Sequence, residues 1–126
     1  MFYINIAKST ARAVGFQVKL AFSISQHSRD ELLFSNIRDY LGCGNLYLEK
    51  PVTRSAVIFV VYKFRDIWEK IIPFLQEYPI WGVKSLDYSD FSKVALLMKD
   101  KAHLTDKGLA QIRLIKLGMN KGRIDS

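Results

Sequence analysis

The chain has few of the cysteines, histidines and long apolar runs that are typical of disulfide-bonded, zinc-binding and membrane proteins. Among its 126 residues is one cysteine, Cys43, which excludes an internal disulfide and a multi-cysteine zinc site. Its two histidines, His27 and His103, are far apart in sequence and make a weak case for a metal site. No apolar run approaches the roughly 20 residues that span a bilayer, and no secretory leader is visible. We therefore expect no metal held by this chain alone and no membrane partner.

The sequence also lacks the spacings typical of common catalytic sites. It has no glycine-rich phosphate loop and no Ser, His and Asp set suggested by spacing. Cys43 stands between two glycines, which is typical of a turn rather than of a nucleophile. Asp87 and Asp90 lie where a helix is expected to begin, so helix capping is favoured over catalysis. Asp66 and Glu69 fit a solvent-exposed helix face.

Positive charge is in excess. Nineteen Lys and Arg residues against twelve Asp and Glu residues give a net charge of +7. Such a balance favours a polyanionic partner. The alternative is a basic protein that uses its charge only for solubility, and composition leaves both open. The length suits one domain, residues 1–126, and residues 119–126 form a basic, polar tail.

Alternating apolar and polar residues predict four strands. The first two are Phe2–Lys8 and Phe16–Gln26, where Phe16, Val18, Leu20, Phe22 and Ile24 form the apolar row. A second hairpin is predicted from Asn45–Glu49 and Ala56–Tyr62. Both hairpins are short enough for antiparallel pairing, so a sheet of four antiparallel strands is expected.

Helical spacing and end signals predict four helices. The first follows the first hairpin, with Ser28 as its N-cap. Pro73 should kink or end the second, either Asp87 or Ser89 should cap the third, and Thr105 should cap the last. Their predicted ranges are Arg29–Leu41, Asp66–Glu77, Asp87 or Ser89 to about Lys99, and Thr105 to about Lys116. The order ββαββααα predicts an α+β fold with helices on one face of the sheet. Four aromatic residues are expected in the core or in lid packing: Trp68, Phe74, Trp81 and Phe91.

The polar face of this sheet is the main candidate for a binding site. Amide side chains pair with base edges in a major groove, and Lys and Arg neutralise phosphates. A twisted antiparallel ribbon also has the width to enter that groove. The alternative is an ordinary solvated sheet face, which alternates in the same way. The candidate DNA-binding residues are Tyr3, Asn5, Gln17, Lys19, Ser23, Asn45 and Tyr47 on the strands, with Lys8 and Arg12 at the loop tips.

Three segments together carry a resemblance to a known family. They are GFQVKLAFSISQHSRDELLFSNIRDYLGCG from Gly15 to Gly44, IIPFLQEYPIWGVKSLDYSDF from Ile71 to Phe91, and HLTDKGLAQIRLIKLGMN from His103 to Asn120. The chain closely resembles the LAGLIDADG homing endonucleases of the single-chain, intron-encoded kind. Trp81 departs from the expected smaller aliphatic residue.

The resemblance implies a saddle-like sheet lying on double-stranded DNA, with base-contacting positions along its strands. Ala7 matches such a position but offers no hydrogen bond, and Glu49 could accept one only from a cytosine amine. The fourth strand offers only Ala56, Ile58 and Val60, so base reading is expected to be weak there. The matching positions on the first three strands are Tyr3, Asn5, Ala7, Gln17, Lys19, Ser23, Asn45, Tyr47 and Glu49.

The resemblance further implies a divalent metal, Mg²⁺, held by an acid from a signature helix in each half. That helix is expected just before Phe2, and no acid of this chain matches it. We therefore expect an N-terminally truncated, DNA-reading half that does not cut alone. Two peripheral catalytic positions do match. Gln26 would help to position water near the metal, and Lys84 would place positive charge near the scissile phosphate. The alternatives are a helix-entry hydrogen bond for Gln26 and a solvated loop lysine for Lys84.

The family also suggests other partners. A second LAGLIDADG half would complete the enzyme. Some members act as intron maturases, so intron RNA is the alternative ligand, with the basic helices rather than the sheet making the contacts. Mitochondrial location is expected from family habit alone, since fungal organelle introns commonly carry such reading frames.

Overall fold

The computed structural model describes residues 1–27, 31–49 and 56–119, and all elements named below lie in these ranges. The predicted strands and the α+β class are confirmed. The strands are β1 (Phe2–Lys8), β2 (Phe16–His27), β3 (Asn45–Glu49) and β4 (Ala56–Val61). The helices are α1 (Glu31–Leu41), α2 (Phe64–Asp66), a π segment (Ile67–Ile71), α3 (Ile72–Glu77), α4 (Lys84–Lys99), a 3₁₀ turn (Ala102–Leu104) and α5 (Asp106–Gly118). The predicted N-cap Ser28, with Arg29, lies outside the described residues.

The sheet is antiparallel throughout, with strand order β1-β2-β4-β3. Its organising element is β2, which is 12 residues long and has two successive neighbours. Phe16 to Phe22 pair with β1, and Phe22 to His27 pair with β4. Phe22 is paired on both sides, with Phe2 of β1 and with Val61 of β4. The two outer strands are therefore offset along β2.

The apolar row of each strand faces the helices. Because strand side chains alternate between faces, the row beginning at Phe2 and Ile4 meets the row at Leu20 and Phe22 on the same side. All four side chains are buried. The Phe2 ring packs against Phe22 and Phe91, with ring centroids 5.4 and 5.1 Å apart. Each such burial is worth about 2 kcal/mol relative to exposure, so this layer anchors the fold.

Pro73 does not end its helix. The chain runs helically from Phe64 to Glu77, and the irregularity precedes Pro73 as the π segment. There the Ile72 N–H donates to the Ile67 carbonyl, five residues back. Proline has no N–H to donate, and a wider turn before it accommodates the missing helical hydrogen bond. The deviation falls one turn earlier than the position of Pro73 suggests.

The start of α4 differs from the prediction. The helix begins at Lys84, after a turn in which Gly82 has φ of +79°, and no side chain caps it. Neither Asp87 nor Ser89 is an N-cap. Asp87 instead lies inside the first turn, where a carboxylate complements the helix dipole, and it is only 3% exposed.

Trp81 is not a core residue: it is 86% exposed in the link between α3 and α4. It stands in the link directly before the turn at Gly82, outside both helices. The other predicted aromatic residues do pack. Phe91 is fully buried, Trp68 stacks on Phe64, and Phe74 lies against Tyr40 and Tyr78.

Thr105 caps α5 as predicted. Its side-chain oxygen accepts a hydrogen bond from the Gly108 N–H at 3.0 Å, which satisfies one of the free donors of the first turn. In the described ranges no helix combines the length and apolar character needed to cross a bilayer.

Gly44 fixes the entry into β3. It has φ of +95°, and a Cβ atom placed on it would lie 2.5 Å from Cε2 of the buried Phe59 ring. The position therefore needs glycine for its backbone conformation and for close packing.

We expect Gly44→Ala to destabilise the domain by about 3 kcal/mol, because overpacking adds to left-handed backbone strain. Gly15→Ala is the matched control. It has a similar φ of +81° with nothing within 4 Å of the new Cβ atom, so only the strain of about 1 kcal/mol applies. Urea unfolding followed by tryptophan fluorescence measures both changes. Equal losses would contradict the close approach to Phe59.

Candidate nucleic-acid interface

The strand register brings the predicted polar residues onto one face of the sheet. Asn5 lies opposite Lys19, and Ala7 lies opposite Gln17. Opposite residues in an antiparallel pair share a face, with Cβ atoms about 5 Å apart. Ser23 and Asn45 both lie opposite Val60, on the two sides of β4. Tyr3, opposite Ala21, and Tyr47, opposite Ile58, complete a polar row to which β1, β2 and β3 contribute, with β4 lying between β2 and β3.

Most of this row is open to solvent. Tyr3, Asn5, Lys19, Asn45 and Tyr47 are exposed, whereas Gln17 and Ser23 are half-buried. The positions that β4 adds to the face are the half-buried Ala56, Ile58 and Val60, which carry no side-chain hydrogen-bonding group. The polar contacts of this face therefore come from the other three strands.

Tyr62 belongs to this face and was missed by the sequence reasoning. It directly follows β4, is 49% exposed, and its hydroxyl joins two of the predicted residues. The Asn45 Nδ2 donates to it at 3.3 Å, and the Tyr47 hydroxyl lies 2.8 Å away. The hydrogen bond between the two hydroxyls raises the pKa of Tyr47. The signal was present in the sequence, because the alternation that buries Val57, Phe59 and Val61 puts Tyr62 on the opposite face.

The two predicted loop-tip cations take different positions. Arg12 turns to a cleft of about 530 Å³, which Gln17, Lys19 and Tyr62 also line. Its charge lowers the pKa of His103, although burial of the ring lowers it more. Lys8 ends β1 opposite Phe16, in register with the helix-facing residues Ile4 and Ile6, and is exposed. The register therefore places Lys8 on the helix-facing side of the sheet, at the end of β1, and not on the polar face.

The predicted peripheral catalytic residues lie at different places. The Lys84 ammonium is 3.8 Å from the buried Asp87 carboxylate. The Met1 amino group, at the start of β1, is close to both. Burial lowers its pKa, the Lys84 charge lowers it further, and Asp87 opposes this. The backbone of Gln26, in β2, pairs with Val57 of β4, but the Gln26 side chain lies outside the described part of the structure. The structure therefore places Lys84 beside the first strand and does not test Gln26.

The described residues do not offer a metal site of their own. Among them, no three His, Cys, Asp or Glu side chains lie close enough together to hold a metal ion. Mg²⁺ requires oxygen ligands arranged almost octahedrally. The single buried carboxylate of Asp87, paired with Lys84, does not meet that requirement.

Comparisons with known proteins agree with this geometry. The LAGLIDADG endonuclease family matches residues 1–95. A relative from Neurospora crassa, named probable intron-encoded endonuclease 2, is 43% identical over 102 residues, which are 81% of this chain and 22% of that protein. Probable intron-encoded endonuclease 3 of the same organism is 38% identical over 85% of this chain and 20% of its own length. The chain belongs to the LAGLIDADG endonuclease family.

Solved structures show the same fold at high similarity. The endonuclease I-SmaMI bound to an uncleaved DNA target in the presence of calcium ions is 46% identical, with a TM-score of 0.86, over 97% of this chain and 41% of that one. The LAGLIDADG homing endonuclease I-LtrWI bound to target DNA is 40% identical, with a TM-score of 0.88, over 98% and 41%. The chain thus spans about two fifths of these solved proteins and about a fifth of the curated relatives.

We expect Tyr62→Phe to lower the pKa of Tyr47 toward its ordinary value, because the hydrogen bond that raises it is lost. Titration of the Tyr47 ring carbon by NMR measures the change. Tyr3→Phe is the control, since it removes an equally exposed hydroxyl elsewhere on the face. An unchanged Tyr47 pKa in Tyr62→Phe would contradict the hydroxyl pairing.

Proposed function

We propose that this chain is a DNA-binding half of an intron-encoded homing endonuclease. The observation that carries the proposal is the polar row, which runs across neighbouring strands on the face away from the helices. The DNA-bound relatives and the net charge of +7 support the same reading. Mitochondrial origin is part of the proposal, because the relatives are fungal intron-encoded proteins.

In this proposal the sheet enters the major groove, where some of its side chains contact bases and others contact phosphates. Asn5, Gln17 and Asn45 carry amides, which can both donate to and accept from a base edge. Lys19 and Arg12 neutralise phosphates and provide most of the sequence-independent affinity. Tyr62 orients Asn45 through their hydrogen bond, so less side-chain freedom is lost when DNA binds.

We further propose that cleavage needs residues beyond this chain. The metal, Mg²⁺ by family resemblance, supplies Lewis-acid chemistry when bound, and its carboxylates would come from a fuller protein that includes a second half. Lys84 would then place its ammonium near the scissile phosphate, and Gln26 would help to orient water. The Asp87 carboxylate lies 3.8 Å from the Lys84 ammonium, and this ion pair restricts the positions that the Lys84 side chain can take.

The first test concerns the phosphate contacts. Fluorescence anisotropy with a random-sequence duplex, repeated at rising salt, gives the slope of log affinity against log salt concentration. Lys19→Gln should reduce that slope by about 1, because one phosphate contact is lost. Lys93→Gln removes the same charge from α4, in the helix layer, and should leave the slope unchanged. Equal slopes in the two variants would count against a DNA contact at Lys19.

The second test concerns cleavage. The purified chain with Mg²⁺ should leave supercoiled plasmid carrying an intron-free insertion site uncut, while it still binds the same DNA in a gel shift. A chelator-treated sample sets the background for the assay. Efficient double-strand cutting by the 126-residue chain would overturn the proposal that it needs a partner half.

The alternative function is that of an intron maturase fragment which binds RNA. One observation favours it: α5 exposes Lys107, Arg113 and Lys116 in the helix layer, away from the polar face. Replacing Lys107 and Lys116 by Gln should weaken RNA binding and spare duplex DNA binding if that alternative is correct. In the proposal favoured above, Lys19→Gln has the larger effect on both ligands.

A further inference from the structure

Between Phe16 and Ala21, β2 pairs with β1 on one side, and no other strand of the described residues pairs with it on the other side. Phe22 is the last residue that β4 reaches, through its partner Val61, and the chain then leaves the sheet. The space where β4 would continue is a cleft of about 530 Å³. We call it the β2-edge cleft, and its lining residues are Arg12, Gln17, Val18, Lys19, Leu20, Tyr62, Phe64, Met98 and His103.

Backbone hydrogen-bonding groups point into this cleft. The Ser23 N–H donates to the Met1 carbonyl and the Ser9 N–H donates to the Gly15 carbonyl, which shows that odd-numbered residues of β2 direct their backbone groups to β1. Val18 and Leu20 therefore direct theirs away from β1. Both residues border the cleft, but as whole residues Val18 is only 5% and Leu20 only 3% exposed, so the part of their backbone that the cleft reaches is small. No backbone partner in the described residues takes up these groups.

The walls of the cleft divide by chemistry. Arg12 and Lys19 contribute two cations to the lining, and none of the described lining residues is acidic. Phe64 and Met98 form an apolar wall, and Phe64 is braced by Trp68, whose ring lies at an interplanar angle of 11°. His103 adds a buried Nδ1 that has no hydrogen-bond partner among the residues the structure describes. Burial and then the Arg12 charge lower the pKa of His103, which favours the neutral ring, and a neutral imidazole has one donor and one acceptor nitrogen.

We propose that the β2-edge cleft binds one unpaired nucleotide. The phosphate lies on Arg12 and Lys19, and the base lies against Phe64 and Met98. The edge of the base then reaches the free N–H and C=O groups of the β2 backbone, with His103 as a further partner. The volume falls within the roughly 300–1,000 Å³ of small-ligand pockets and exceeds what a phosphate alone needs. Single bases commonly bind proteins by stacking on aromatic side chains beside a basic groove.

Two other cavities fit this ligand less well. The cavity beside Asn45 is smaller, about 320 Å³, and carries an acid, Asp66. The cavity between β1 and α5 is lined by Ile6, Ala110, Leu114 and Leu117 with two cations, and it has no aromatic wall. The β2-edge cleft combines cations, an aromatic wall and free backbone groups, and its lining carries no acid that would repel a phosphate.

NMR titration of the whole chain with deoxyadenosine 5′-monophosphate tests the proposal directly. The backbone amide signals of Val18 and Leu20 and the ring signals of His103 should shift together and saturate. Adenosine and inorganic phosphate, titrated separately, should each bind about tenfold more weakly, since each lacks half of the contacts. Phosphate binding as tightly as the nucleotide, or shifts that avoid β2, would overturn the assignment.

Variants separate the contacts. Phe64→Leu should weaken nucleotide binding about tenfold by removing the stacking surface. Phe74→Leu is the matched control, because Phe74 is also half-buried but packs against Tyr40 and Tyr78, outside the cleft. Arg12→Gln changes an exposed residue and should weaken nucleotide binding without changing adenosine binding. If the two Phe variants lose nucleotide affinity equally, the cleft is not the binding site.

The source of the nucleotide is identified by competition. Single-stranded DNA and an RNA hairpin with one bulged adenine are each titrated against the bound mononucleotide, and the stronger competitor names the source. Displacement by fully paired duplex alone would contradict a site for unpaired nucleotides. The cleft shares Arg12, Gln17, Lys19 and Tyr62 with the polar face. The two proposals still fail separately, because duplex binding is measured by its salt dependence and the cleft by the mononucleotide shifts of Val18, Leu20 and His103.

Discussion

The pairing of β2 is the constraint on which the rest of the structure depends. Successive side chains of β2 point to opposite faces, so Leu20 and Phe22 lie in the core while Gln17, Lys19 and Ser23 lie on the polar face. A shift by one residue would bury the charged and amide groups and expose the aromatic ones. Core stability and the chemistry of the face are therefore fixed by one strand alignment.

The offset of the outer strands has a second effect. β1 pairs with the first half of β2 and β4 with the second half. Tyr62 directly follows β4, so it lies between the polar residues of the first hairpin and those of the second. Its hydroxyl joins Asn45 and Tyr47 of the second hairpin, while its ring borders the cleft beside the first. A single tyrosine thus connects the two halves of the face.

The fold could be predicted from the sequence wherever one local rule decided the outcome. Alternation placed the four strands and their polar row, and Thr105 marked the start of α5. The errors arose where tertiary contacts decided. Asp87 has the sequence position of a cap, but burial next to Lys84 and Met1 gives it another role. Trp81 has the composition of a core residue, yet a turn at Gly82 leaves it in solvent. The cleft beside β2 had no sequence signal, because it arises from the lengths of two strands and not from any residue pattern.

The Met1 amino group contributes one positive charge near Asp87. The Met1 amino group and the Lys84 ammonium both lie near this carboxylate, and the two cations repel each other. If any segment is joined to Met1, that amine becomes a neutral amide, and one positive charge leaves the neighbourhood. The Lys84 ammonium is then the nearby cation that remains for Asp87. A bond formed at Met1 would therefore change the ion pair of a lysine that is far away in sequence.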